Sequence, residues 1–174
     1  MIFFPGTILL NKKKLYFYPT KIVGKIQKSM KFNTKTRYGL RTMLELSLKE
    51  NSERGVLQKE IAENQVVSVK YLDQIIASLK AADLIINVGG RKSGYRLNRP
   101  SHDITIYDVY LAFDDEMSII DCLIPGRECP RNQSCVLRKF WINLNGSIKS
   151  QMEAVNLNML AEDYRRVEET LKVG

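Results

Sequence analysis

The sequence predicts a mainly α-helical protein with a small β-hairpin wing: a winged helix-turn-helix followed by a long dimerisation helix. Three observations carry this. Between residues 34 and 97, three segments with helical apolar spacing run into two short β-prone runs separated by a glycine-rich turn. From Val136 to Met152 an apolar residue recurs every fourth position. Between these two regions lie all the cysteines of the chain, Cys122, Cys129 and Cys135.

The elements follow in order. Thr34 to Lys49 places Tyr38, Leu40, Met43, Leu44, Leu46 and Leu48 on an apolar side at helical spacing. Gly55 marks a break, and Leu57 to Asn64 reads as a short helix with Leu57 and Ile61 inward. Val66-Val67-Ser68 is a turn whose serine suits the N-cap of the next helix, Val69 to Ala82, with Leu72, Ile75, Ile76 and Leu79 on one side. Leu84 to Val88 is a β-branched strand, Gly89 to Gly94 a turn, and Tyr95-Arg96-Leu97 the returning strand. Ile104 to Asp114 reads as a helix packing through Ile104, Ile106, Val109, Tyr110 and Phe113. A long helix is expected from about Ser134, carrying Val136, Phe140, Leu144, Ile148 and Met152, with Leu137 and Trp141 alongside. A stripe of that length must be buried, and in a chain of this size a second copy is the expected partner. Leu157 to Leu171 completes the chain as a shorter helix bearing Leu160, Tyr164 and Val167.

Charge divides the 174 residues unevenly. Residues 1–29 hold six lysines and no acid, residues 30–100 carry a net +6, and residues 101–174 a net −4. A basic middle beside an acidic C-terminal part suits a nucleic-acid-facing segment joined to one with another task. The expected organisation is a disordered or artefactual basic extension over 1–29, a DNA-binding domain over 30–100, and a cysteine-loop sensor and dimerisation region over 101–174. Met30 is the expected functional start, the alternative being a basic arm that adds phosphate contacts. No apolar run is long enough to span a bilayer, and the lysines follow the first apolar stretch instead of preceding it as in a secretory signal. A cytoplasmic protein is therefore expected.

Helix, helix, helix, hairpin implies that the second helix crosses the DNA backbone and the third enters the major groove. The face near the start of the third helix presents Ser68, Lys70, Tyr71 and Asp73. Lys70 suits phosphate or guanine, and Asp73 can accept from a cytosine amine or orient a neighbour. Arg91 and Lys92 at the wing tip, with Arg96 on its stem, suit phosphate or minor-groove contacts.

The cysteines are separated by six and then five residues through a loop of Gly, Pro and polar residues. Such a loop can bend three thiolates toward one centre, and thiolates are the usual ligands of iron–sulfur clusters. Four readings compete: an iron–sulfur cluster, which is preferred, a metal-free thiol switch, structural zinc, and inert thiols. Zinc is disfavoured because a closed site needs four ligands, and no fourth Cys or His has suitable spacing. Enzymatic chemistry has little support, with no phosphate-binding glycine loop and His102 the single histidine.

Met30-Lys31-Phe32-Asn33-Thr34-Lys35-Thr36-Arg37-Tyr38-Gly39-Leu40-Arg41 resembles the N-terminal signature of the IscR, NsrR and CymR transcription regulators, the Rrf-two family. Ser68-Val69-Lys70-Tyr71-Leu72-Asp73-Gln74-Ile75-Ile76 and Leu79 to Leu84 resemble it too, as do Gly94-Tyr95-Arg96-Leu97 and the cysteine triad. The resemblance runs from Met30 to about residue 165. It implies a homodimer reading a palindromic operator in double-stranded DNA, and repression is the expected sign of its regulation, with activation the alternative. It further implies control of iron–sulfur assembly or of sulfur and redox-stress genes by a cluster on Cys122, Cys129 and Cys135. The family's fourth ligand is either a histidine three residues after the last cysteine or an aspartate on the partner's first helix. This chain has Arg138 and Arg37 at those places, and a guanidinium stays protonated. Asp121, Glu128 and a small exogenous ligand remain open as the fourth donor. Cluster type is likewise open, 2Fe–2S being preferred to 4Fe–4S. Gly89 stands where the wing often carries arginine, and Asp73 where a glutamate discriminates between DNA sites. The alternative within the resemblance is a cluster-free, CymR-like regulator that senses cysteine or thiol state through a protein partner or thiol oxidation.

Overall fold

The computed structural model describes residues 32–89, 94–124, 126 and 129–173. Residues 1–29, Met30, the wing-tip Arg91 and Lys92, and Glu128 of the cysteine loop lie outside the described residues.

Asn33 starts the first helix, α1 (Thr34–Leu48): its side-chain oxygen accepts from the N–H groups of Lys35 at 2.6 Å and Thr36 at 3.2 Å. Helix α2 (Gln58–Gln65) begins after an extended Leu57 whose N–H donates to Glu60 Oε2 at 3.2 Å. That bond, with Arg54 beside it, holds the Glu60 carboxyl below its usual range. Ser68 caps α3 (Val69–Ala81), as its sequence position predicts, by accepting from the Tyr71 N–H at 3.2 Å. Strands β1 (Ile85–Asn87) and β2 (Tyr95–Leu97) pair antiparallel, with Ile85 opposite Leu97 and Asn87 opposite Tyr95. Val56 and Tyr95 exchange two 2.9 Å backbone bonds, fastening the wing to the segment before α2. A Cβ on Gly94 would lie 2.1 Å from the Val56 carbonyl oxygen, so only glycine allows this approach.

The C-terminal elements depart from expectation at their ends. Helix α4 covers only Ile106–Leu111 instead of 104–114. A reciprocal cap sets the later start: Asp108 N–H donates to Thr105 Oγ1, and Asp108 Oδ2 accepts from the Thr105 N–H at 2.8 Å. Ile104 is buried just outside the helix and so still packs. The long helix, α5 (Arg138–Ala154), begins at Arg138 instead of about Ser134. Turn bonds from Asn132 to Cys129, Ser134 to Arg131 and Arg138 to Cys135 occupy the backbone up to that point. Val136 therefore precedes the helix and is exposed. Helix α6 (Leu157–Val173) closes the chain and packs on α1.

One apolar core joins α1, α2, α3 and the wing, through Met43, Leu46, Ile61, Leu72, Ile75, Leu79 and Ile85, to Ile104, Val109 and Leu157. A second, smaller cluster holds Tyr107, Met117 and Met152. The buried Glu45 carboxylate accepts from Asn64 at 2.5 Å and Gln65 at 2.9 Å, tying the end of α2 to α1. No helix among the described residues is long and apolar enough to cross a membrane.

Candidate nucleic-acid interface and cysteine loop

The first surface lies on α3. Its apolar side enters the core through Leu72, Ile75, Ile76 and Leu79, which leaves Ser68, Lys70 and Asp73 exposed on the opposite side. Tyr71 is half-buried, its ring edge-on to Tyr38 with centroids 5.7 Å apart, and the Arg41 guanidinium lies 5.3 Å from the Tyr38 ring centroid. Arg96 is exposed on β2. Four of the seven sequence-predicted contact residues thus reach solvent, Tyr71 does so in part, and Arg91 and Lys92 fall outside the described residues. Gln58, which its sequence pattern does not single out, stands beside Asp73 on this surface. Its amide nitrogen donates to Asp73 Oδ1 across the turn between α2 and α3.

The second region is the loop from Met117 to Leu137. Cys122, in a short 3-10 turn (Asp121–Leu123), Cys129 and Cys135 are all half-buried free thiols. The loop is braced on α5. Asn145 Nδ2 donates to the Met117 carbonyl at 3.0 Å, and Asn145 Oδ1 accepts from the Ile119 N–H at 3.0 Å. Arg138 Nη1 donates to the Cys122 carbonyl at 3.3 Å. Arg138 thus stands as a strut at the position where the family resemblance implies a histidine ligand.

As donors, three free thiols suit an iron–sulfur cluster in kind. Among the described residues, however, no group of three or more Cys, His, Asp or Glu side chains is drawn together as a metal site.

Between the two regions runs a polar joint. Asp114, just after α4, accepts from Thr36 Oγ1 at 2.7 Å and from Asn33 Nδ2 at 3.2 and 3.3 Å. Phe113 beside it fills the notch over Gly39, where a Cβ would lie 2.2 Å from its ring. The cap of α1 is therefore built partly by the segment that leads into the cysteine loop. Burial, together with the Asp114 carboxylate, pushes the Tyr110 hydroxyl pKa up. Because Thr36 is fully buried, Asp114→Ala strands its hydroxyl, and the half-buried Asn33 amide loses its partner. The expected cost is about 1–3 kcal/mol, measured by urea unfolding. A midpoint unchanged from the parent would show that the joint does not contribute to stability.

On the exposed side of α5, Phe140 is 56% and Leu144 37% accessible, while Met152 at the far end is buried.

A family model named Rrf2, described as an iron-dependent transcriptional regulator, matches residues 32–163. The chain is 36% identical over 136 residues to the protein rrf2 of Nitratidesulfovibrio vulgaris, covering 78% of this chain and 88% of that one. It is 30% identical over 139 residues to the HTH-type transcriptional regulator IscR of Vibrio campbellii, covering 80% and 82%. Among solved structures it is similar to B. subtilis CymR, described as the global cysteine regulator, with a TM-score of 0.63 and 29% identity over 76% of this chain and 97% of that one. T. potens IscR gives a TM-score of 0.61 and 29% identity over 78% and 89%.

Proposed function

The chain belongs to the Rrf2 family of winged-helix transcriptional regulators, which bind DNA and are not enzymes, and on that premise we propose that it is a cytoplasmic homodimeric repressor whose DNA affinity is set by an iron–sulfur cluster. The observation that carries the DNA-reading part is the face of α3: Ser68, Lys70 and Asp73 stand exposed on a helix whose other side is locked into the core. Arg96, and Arg91 and Lys92 before it in sequence, supply the wing contacts. The exposed α5 side supports pairing with a second copy, which would set two recognition helices on a palindrome.

Cys122, Cys129 and Cys135 would hold the cluster, of 2Fe–2S type by preference. When bound, it would supply a one-electron iron redox couple and a sensitivity to iron shortage that protein side chains lack. The remaining steps fall to the chain's own residues. Arg138 and Asn145 hold the loop on the dimer helix, and Phe113 and Asp114 hold the segment before it on the start of α1. Tyr38 on α1 packs on Tyr71 of α3. A rearranged cysteine loop thus bears on the recognition helix through packed side chains, with a coupling of about 1–3 kcal/mol. Targets among iron–sulfur assembly or sulfur and redox-stress genes fit this signal.

A second reading is favoured by the likeness to CymR: a cluster-free regulator sensing thiol state through a protein partner or through oxidation of the same cysteines. The deciding experiment is anaerobic purification with iron and sulfide assays, a visible spectrum before and after dithionite, and duplex binding at several salt concentrations. Coloured protein that bleaches, with salt-dependent and sequence-selective binding, is expected. Colourless protein after anaerobic reconstitution moves the assignment to the second reading, and the absence of salt-dependent duplex binding removes the DNA-reading role.

A further inference from the structure

Gln58 and Asp73 meet where the two helices of the helix-turn-helix converge. Gln58 is the first residue of α2, and Asp73 lies in the second turn of α3. Both helix starts are fixed from behind. Arg54 Nη2 donates to Glu60 Oε1 at 2.7 Å while the Leu57 N–H donates to the other oxygen, and Ser68 holds the first turn of α3. The Gln58–Asp73 bond therefore joins two anchored points.

That bond changes what Asp73 offers to DNA. A carboxylate with both oxygens free on a recognition helix can accept from a cytosine amine, and it repels phosphates. Here Oδ1 already accepts from Gln58. The Gln58 amide keeps a second N–H, and among the described residues that amide makes no other hydrogen bond. The helix bearing Gln58 is the one that crosses the backbone in this motif, and glutamine amides are ordinary phosphate donors there.

We propose that Asp73 is a positioning residue and Gln58 a DNA-contact residue: Asp73 holds the Gln58 amide so that its remaining N–H donates to a backbone phosphate at the start of α2. The inference rests on the DNA-reading function proposed above. It assigns Asp73 to affinity, through Gln58, and withdraws it from base choice.

The test is selection from a pool of randomised duplexes with the full chain, Gln58→Leu, Asp73→Ala and the double variant. Affinities are then measured by fluorescence anisotropy on the selected duplex and on a scrambled one. Both single variants change exposed or half-exposed surface positions, and a thermal melt verifies their folding. Gln58→Leu is expected to weaken binding about tenfold on both duplexes without altering the selected bases. Asp73→Ala should weaken binding in the parent and cause no further loss in the Gln58→Leu background. The proposal fails if Asp73→Ala changes the preferred base at one position, tightens binding to every duplex, or multiplies with Gln58→Leu in the double variant. A parent chain that binds no duplex in a salt-dependent manner overturns the DNA-reading function itself, and this inference with it.

Discussion

Alanine at Cys122, Cys129 and Cys135 together is expected to abolish bound iron and sulfide and leave the fold standing. None of the three belongs to either apolar core, and all are half-buried on a loop held by Asn145 and Arg138. Losing three such sulfurs creates no core cavity, so stability should change by no more than about 1 kcal/mol. The effect appears in regulation. In the parent, affinity for the operator should differ between anaerobically reconstituted and oxidised protein by about 5- to 150-fold, the range of an ordinary allosteric coupling. In the triple variant that ratio should fall to one, whichever state binds more tightly. Anisotropy titrations on the two preparations, beside iron assays, measure it. A triple variant that still distinguishes oxidised from reduced conditions would falsify control through these cysteines.

Phe140→Asp should be as severe by a different route. Phe140 packs edge-on against Trp141, with centroids 4.9 Å apart, yet more than half of it is exposed in the single chain. A charge there costs one protomer little but is very unfavourable in an apolar interface between copies. The expected result is conversion of a dimer to a monomer in light scattering, with an unchanged circular dichroism spectrum. Affinity for a palindromic duplex should drop by about 100-fold or more, because the second recognition helix no longer binds from a tethered position. A parent chain that is monomeric at micromolar concentration, or a variant that stays dimeric, would remove α5 as the dimerisation surface.

Much of this architecture can be read along the chain because its causes are local. The periods of α1 and α3, the Ser68 cap and the β-branched first strand of the wing depend on residues within a few positions of one another. The starts of α4 and α5 were misjudged for an equally local reason. Apolar spacing continues across Ile104 and Val136, but it cannot tell that the Thr105–Asp108 cap or the turns around Cys129 and Cys135 claim the backbone first. The cysteine triad marked a loop, and its donor chemistry, directly.

The sequence by itself therefore determined the order and type of the elements, the exposed face of the recognition helix and the three candidate thiol ligands. Only the tertiary structure decided how they are joined. Asp114 on Thr36, Asn145 on the Met117 carbonyl and Gln58 on Asp73 link positions 78, 28 and 15 residues apart. Such pairs leave no periodic trace, since each depends on how two elements pack and not on the pattern within either one. Arg138 shows the difference: in the sequence it is a ligand position filled by the wrong residue, and in the fold it is the strut that holds the Cys122 turn against α5.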